Sequence, residues 1–417
     1  MKNKSFNGGK GLIVLLGALT AFDPLSIDMY LPAFSDIQAE FLTSIDKVEL
    51  SMSAFFIGMA VGQLFYGPLS DRFGRKKPLL AGMFLYLIAT IGCAFAPNIE
   101  TFIVLRVLQA LGGCAGMVIT RAVIRDLFES KKVADFLSSM ALIMGLAPIL
   151  APSIGGFVNQ LLGWRAIFGL LAVSNVVCLA CIYFFLPETI KQRSSNLSIK
   201  SMLTSYGQLF RERSFVGYLI PDTAIRAGMF AYIAGSPFVF IELYHIPKEH
   251  YGWIFGMNAL GLMAASQINR RLLKRFDSDM ILRWSVRVAA VAATVVFISP
   301  QISSQVSMLL IPIFLFLATL NFVGPNALAG ALASQGHRAG TASALYGCMQ
   351  WSLASASSFM VSYFHNGTAT PMTGTILACG LVSLIAYQIL RPEVGDRNQL
   401  REVEKTIVIP SEAEPGV

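Results

Sequence analysis

The chain has 417 residues, of which 55% are hydrophobic and only 13% charged, whereas soluble domains carry about 25% charged residues. That is too few charges to cover a soluble surface of this size, which excludes a string of ordinary soluble domains and points to an integral membrane protein. The net charge of +8 does not indicate a nucleic-acid partner, because the basic residues sit in short breaks between apolar runs.

A membrane-crossing helix takes about 20 apolar residues. Twelve runs of that kind follow one another, at 11–34, 48–69, 78–97, 99–121, 136–161, 165–186, 215–241, 250–270, 280–298, 306–333, 339–364 and 372–391. None alternates with the period of a barrel strand, so the expected fold is all-α with twelve transmembrane helices. The opening "MKNKSFNGGKGLIVLLGALTAF" is basic and then apolar, like a secretory leader. It lacks a small-x-small cleavage site and its apolar run continues, so it reads as an uncleaved first span.

Lysine and arginine are concentrated in alternate breaks: 2–10, 72–77, 125–132, 191–213, 270–283, 338 and 391–405. The other breaks hold only Lys47, Arg165 and Lys248. The bias predicts both termini on the cytoplasmic side. The longest polar break divides six spans from six, which predicts a first half at 1–187, a cytoplasmic linker at 188–214, a second half at 215–391 and a disordered cytoplasmic tail at 392–417. All six cysteines fall in apolar runs and read as small buried hydrophobes. The histidines His245, His250, His337 and His365 are scattered, with no metal-ligand spacing. No metal or organic cofactor is expected, and no catalytic cluster that would make the chain an enzyme.

Between the second and third spans stands "GPLSDRFGRKK". A positive anchor explains its basic residues but not the two glycines that bracket an acid. The stretch resembles the G-x-x-x-D-R-x-G-R-K loop of the major facilitator superfamily. The resemblance implies a conformational latch built from Gly67, Asp71, Arg72, Gly74, Arg75 and Asp126. In it Asp71 faces the N-terminus of the eleventh span near Gly340 and Thr341, and Arg75 pairs with Asp126. The corresponding break in the second half, "QINRRLLKRF", keeps the bases and lacks the acid and glycine.

Arg106, Gln109 and Gly112 in the fourth span resemble the R-x-x-Q-x-x-G element of the same superfamily, and an arginine in hydrocarbon needs a partner or water. Arg121 lies nearer the inner end, interfacial or lining a vestibule. In the fifth span, Pro152, Gly155 and Gly156 resemble the G-P-x-x-G-G element of its exporters, with alanines at 147 and 151 where glycines are usual.

The first span carries two acids, Asp23 and Asp28. Five residues along a helix is about 140° of rotation and about 7.5 Å of rise, so a regular helix does not put them on one face. Pro24 is expected to unwind that turn, and Arg106 is the natural partner. The alternative for Asp28 is a cap at the end of the first span near Pro32. "SIDMYLPAF", "GWRAIF", "FLPET" and "AGMFAYIAGSPFVFIE" resemble the bicyclomycin and chloramphenicol resistance (Bcr/CflA) branch of drug/proton antiporters, over nearly the whole chain to about residue 391. That resemblance implies a monomeric exporter in the bacterial inner membrane, moving small, mostly apolar compounds against protons, with Asp23, Asp28 and Arg106 coupling the proton. Uptake or export of a defined metabolite, such as an amino acid or siderophore, is the alternative. Candidate cavity residues are Tyr30, Phe56, Gln109, Phe230, Tyr232, Asn321 and Gln350. Asp222 and Arg226, four apart, are expected to pair with each other. Arg287 is left between lipid interface and cavity.

Overall fold

The computed structural model describes residues 10–127, 150–190, 199–333, 335 and 339–390. Residues 136–149 of the expected fifth span and the whole tail 392–417 lie outside the described residues. Every described element is a helix: α1 (Lys10–Asp28), α2 (Phe34–Glu40), α3 (Ile45–Phe73), α4 (Lys76–Ala94), α5 (Ile99–Leu127), α6 (150–162), α7 (Trp164–Phe185), α8 (Ile199–Arg211), α9 (Arg213–Pro237), α10 (Lys248–Leu272), α11 (Ser278–Ile302), α12 (Val306–Ala318), α13 (Leu320–Ala333), α14 (Ala339–Tyr363) and α15 (Thr370–Leu390). Among the described residues, nine stretches are long and apolar enough to cross a bilayer. The 25-residue α10 and α14 pack into the same bundle. Their exposed side chains form an apolar belt that suits lipid: Phe84 and Ile88 on α4, Val173 and Val177 on α7, Val291 and Val295 on α11.

The ends of the elements follow local chemistry. Helix α1 runs straight through Pro24 and stops at Asp28, before the 3-10 turn Leu31–Ala33 that holds Pro32. The unwinding expected at Pro24 does not occur, so the two aspartates stay on different faces. The expected span 306–333 is interrupted at Thr319, where the hydroxyl bonds back to the Phe316 carbonyl at 2.6 Å. Pro325 in the next turns has no N–H to offer the carbonyl of Asn321. The stretch 188–214 is not plain linker, because α8 lies within it and packs on α9 and α14. Its amphipathic pattern fails the test for a span, and so it is not visible in a search for apolar runs.

Helices α1, α3, α4, α5 and α7 pack on one another, as do α9 to α15, and α3 against α14 is the main seam between the two groups. We call the end of the bundle with the 74–75 turn the basic end and the opposite one the far end. Along the antiparallel seam, Ser362 donates to the Asp46 carbonyl (2.6 Å), Ser355 to the Ser53 carbonyl (2.9 Å), and Phe56 meets Trp351 (centroids 5.7 Å). Lower down, Gln63 abuts Gly347. Further toward the basic end, one turn past Gln63 and two turns before Gly347, a side chain on Gly67 or Gly340 would meet nothing within 4 Å among the described residues. Among the described residues the halves are therefore sealed at the far end and part at the basic end.

Candidate functional site: buried charges between two halves

The far-end seal is polar and crosses the halves. Lys248 at the start of α10 donates to both oxygens of Asp36 on α2 (2.8 and 2.9 Å), and Asn159 on α6 donates to Asp36 Oδ2 (2.5 Å). Ser35 donates to the exposed Glu242. The Pro152–Gly156 element lies in this seal: a Cβ on Gly155 would overlap the Met29 carbonyl oxygen, one residue after Asp28, and Gly156 looks toward the Lys248 carbonyl.

Asp23 and Asp28 are both almost fully buried. Neither oxygen of Asp23, nor Oδ1 of Asp28, has a hydrogen-bond partner. Asp23 is set against α5 where Gly113 leaves room, since a Cβ there would lie 3.0 Å from Asp23 Oδ1. The cation whose field reaches Asp23 is Arg121, which is exposed toward the basic end of α5. Asp28 faces the other half, within electrostatic reach of Tyr232 on α9 and Tyr251 on α10. Those hydroxyls are engaged with Asn258 (2.9 Å) and Ser236 (2.6 Å) respectively.

Arg106 does not pair with either aspartate. It donates to Gln109 Oε1 (2.5 Å) and to the Ser26 carbonyl (3.0 Å), and its guanidinium lies 4.3 Å from the ring centroids of both Tyr30 and Phe55. Gln109 in turn donates to Thr90 (2.9 Å). Arginine points along α5 into an aromatic box, and the regular turn at Pro24 keeps Asp23 and Asp28 out of its reach. Three of the candidate cavity residues make other contacts. Tyr30 and Gln109 are interior to the first half, where Tyr30 also bonds Ser51 at 3.2 Å. Asn321 ties α13 to the Leu262 carbonyl of α10 (2.7 Å). Phe56 and Phe230 do come together across the seam, at 4.6 Å between centroids, with Trp351 as third ring. Tyr232 stands beside Asp28.

One turn toward the basic end from Phe230 is a polar cluster that spacing alone marked only as a pair. Arg226 donates to both oxygens of Asp222 (3.0 and 3.1 Å). Tyr346 (2.8 Å) and Gln350 (3.1 Å) on α14 also donate to Asp222 Oδ2. Asp222 is fully buried, while the Arg226 side chain is 31% exposed. The carboxylate is saturated and fixes the arginine, whose Nη2 packs against Gly324 of α13 while part of the side chain stays uncovered. Arg287 is exposed on α11 beside Trp284, a surface position.

At the basic end Arg75 is nearly buried among acceptors: Asp126 Oδ2 (2.8 Å), Asp71 Oδ1 (2.5 Å) and Ser70 Oγ (2.8 Å). Burial works against its charge, but the bonds to Asp126 and Asp71 outweigh that and hold its pKa above the ordinary arginine value. The expected Arg75–Asp126 pair is present. Among the described residues the expected contact of Asp71 with the start of α14 is not: Asp71 turns to Arg75, and a Cβ on Gly340 would meet nothing within 4 Å. Parting of the halves at this end accounts for it. Arg72 is exposed, over the Phe73 ring. Gly74 has φ +90°, and a Cβ there would overlap Glu188. Glu188 accepts from the Arg75 backbone N–H (2.8 Å) and completes the latch. It sits in "FLPET", legible as a family signature but not as a latch partner.

A helical bundle in two halves, closed at one end and parted at the other around buried charges, is a membrane transporter. The chain belongs to the major facilitator superfamily, whose family model, described as Major Facilitator Superfamily, matches residues 16–359. It is 35% identical over 390 residues to an uncharacterised MFS-type transporter, YdgK, of Bacillus subtilis (93% of this chain, 97% of the relative). It is 30% identical over 412 residues to a chloramphenicol resistance protein of Pseudomonas aeruginosa (96% of each), and 29% identical over 379 residues to a bicyclomycin resistance protein homologue of Haemophilus influenzae (91% and 95%). Among solved structures, a peptide transporter, POT, superposes with TM-score 0.75 at 14% identity (96% of each chain), and a D-xylose–proton symporter with TM-score 0.71 at 14% (94% and 99%). At that identity the likeness concerns the fold.

Proposed function

We propose that this transporter exports small, mostly apolar, drug-like compounds across the bacterial inner membrane in exchange for protons, working as a monomer with its basic end in the cytoplasm. The observation that carries the coupling is the pair of buried carboxylates on α1, Asp23 and Asp28, which lack hydrogen-bond partners at three of their four oxygens. A carboxylate in that setting is costly to keep charged, so a proton is its natural ligand. Opening and closing the seam changes what Asp28 faces, and therefore its proton affinity. The drug reading rests on the names of the relatives and on the aromatic triad Phe56, Phe230 and Trp351, which offers an apolar face at the point where the halves meet. The Lys and Arg bias toward the basic end supports the orientation.

The test is proton movement in inverted membrane vesicles on adding chloramphenicol or bicyclomycin. Collapse of an established gradient by the wild type, and not by Asp23→Asn or Asp28→Asn, is the expected result. No response to either compound removes the drug reading, and a retained response in both variants removes the two acids from the mechanism.

One observation favours a second reading, transport of a defined metabolite. Arg226 is held by a saturated Asp222 and its side chain is only partly covered, an arrangement suited to a carboxylate or comparable acceptor on an amino acid or siderophore. Competition by such solutes, lost in Arg226→Gln, distinguishes it.

A further inference from the structure

The far-end seal holds an acid that this mechanism does not use. Glu49, in the second turn of α3, is almost fully buried, and neither of its carboxylate oxygens has a hydrogen-bond partner. Its polar neighbour comes from the other half: Nδ1 of His365, just beyond α14, lies 3.8 Å from Glu49 Oε2. The His365 ring stands edge-on to Phe238, 4.5 Å between centroids. Along α3 the acid sits between Asp46 and Ser53, whose carbonyls accept the hydrogen bonds from Ser362 and Ser355 that tie the seam. Glu49 and His365 are therefore brought together by closure of the halves.

A charged carboxylate with no hydrogen bond in a dry seam is expensive. It is relieved by a proton on the carboxyl itself or by one on the facing imidazole, which makes an ion pair. Either way the two side chains hold one proton between them. The other charges nearby do not supply a substitute. The Asp46 charge reaches both groups and adds to the need for a proton. Lys47 is engaged with Glu100 at 3.0 Å, and Lys248 with Asp36. Burial holds the His365 imidazole below its ordinary range, with Asp46 opposing. Parting the far end separates the pair and returns both groups to water, where a free carboxyl is ionised at neutral pH.

We propose that Glu49 and His365 form a proton-binding site in the far-end seal, separate from the carboxylates of α1, which takes up one proton as the halves close and releases it as they part. The closed state then holds more protons than the open one. Lowering the pH at the far side favours closure, by up to about tenfold per pH unit for one proton. The site rests on the seam alone and holds for export and uptake alike.

The test uses the full-length purified protein in lipid nanodiscs, its six native cysteines replaced. Spin labels go at Leu42→Cys and Thr370→Cys, exposed positions of the two halves at the far end. Distances are read from about pH 5 to about pH 8, the range over which a histidine titrates. The expected result is a short separation in acid that gives way to a longer one as pH rises. Glu49→Gln loses the response and keeps the short separation, and His365→Asn moves the midpoint. Glu49→Asp keeps an acid but withdraws it by one methylene, so it moves the midpoint too, and it serves if Glu49→Gln fails to fold. A wild-type distance that ignores pH overturns the site, as does a full response in Glu49→Gln or an unmoved midpoint in both His365→Asn and Glu49→Asp. Asp23→Asn and Asp28→Asn should keep the far-end response even where they abolish proton movement in vesicles. A response lost in Asp28→Asn and kept in Glu49→Gln assigns the switch to the central acids and overturns the proposal.

Discussion

Arg106 and Asp28 are both buried charges, but their surroundings predict opposite consequences of removal. Arg106 has two hydrogen bonds and two aromatic faces. Arg106→Ala should lower the stability of the purified protein by about 2 kcal/mol or more, read by thermal unfolding in detergent, because a desolvated cation–π contact and charged hydrogen bonds are lost together. Lysine should not restore it, since a single ammonium does not span Gln109, Ser26 and both rings. At Asp28 the unpartnered oxygen means that Asp28→Asn removes a cost and no bond. Its melting temperature should equal or exceed that of the wild type while coupled proton movement is lost. A fall in melting temperature would make Asp28 a structural cap instead.

The elements are joined where backbone conformation and close approach leave no room for a side chain. Gly74 combines φ +90° with contact to Glu188. Gly74→Ala should cost about 1–3 kcal/mol in strain and displacement of the glutamate. Transport should slow more than in Arg72→Ala, because Arg72 is exposed and lies over its neighbouring ring. Gly155 presses α6 onto the backbone at Met29. Gly155→Ala should overpack that joint by about 1–3 kcal/mol, and the far-end seal should loosen. Labelling of a cysteine buried in the seam, such as Ser53→Cys (with the six native cysteines replaced), in intact cells, compared with and without Gly155→Ala, reads this directly. Unchanged labelling would confine Gly155 to local packing.

For the molecule as a whole, the seal is a sum of small polar ties across an apolar seam. The Asp36–Lys248 pair is partly exposed at both ends, so reversing either charge should change stability by less than about 1 kcal/mol. That is nonetheless enough to shift the balance between closed and open far ends by up to about fivefold. Asp36→Lys alone should raise far-end labelling, and Asp36→Lys with Lys248→Asp should restore it. At the other end the open space that a Cβ on Gly340 would meet among the described residues predicts ready labelling of Gly340→Cys in inverted vesicles. The label should be lost in any condition that brings Asp71 onto the start of α14.

What the sequence determines by itself here is local or periodic. Apolar runs, the breaks with their basic residues, the glycines around Asp71 and the i,i+4 pairing of Asp222 with Arg226 all follow from chemistry within one or two turns. They were legible for that reason. The membrane class and the Arg75–Asp126 pair agree with the structure, whereas the meeting of Phe56 and Phe230 is seen only in the fold. Helix α8 escaped because its apolar face is only one side of a short helix, and the break at Thr319 because an apolar run does not show which of its backbone bonds is missing. Only the tertiary structure decided where each buried charge ends: Arg106 in an aromatic box, Asp23 beside Gly113, Asp28 toward the tyrosines of the other half, Glu49 against His365. Those partners lie on other helices, brought together by packing directions and by which end of the bundle is closed. A single charged residue in an apolar run announces that a partner must exist, because the bilayer makes its isolation costly. Its identity depends on rotations of neighbouring helices about their axes, which no spacing along one chain encodes.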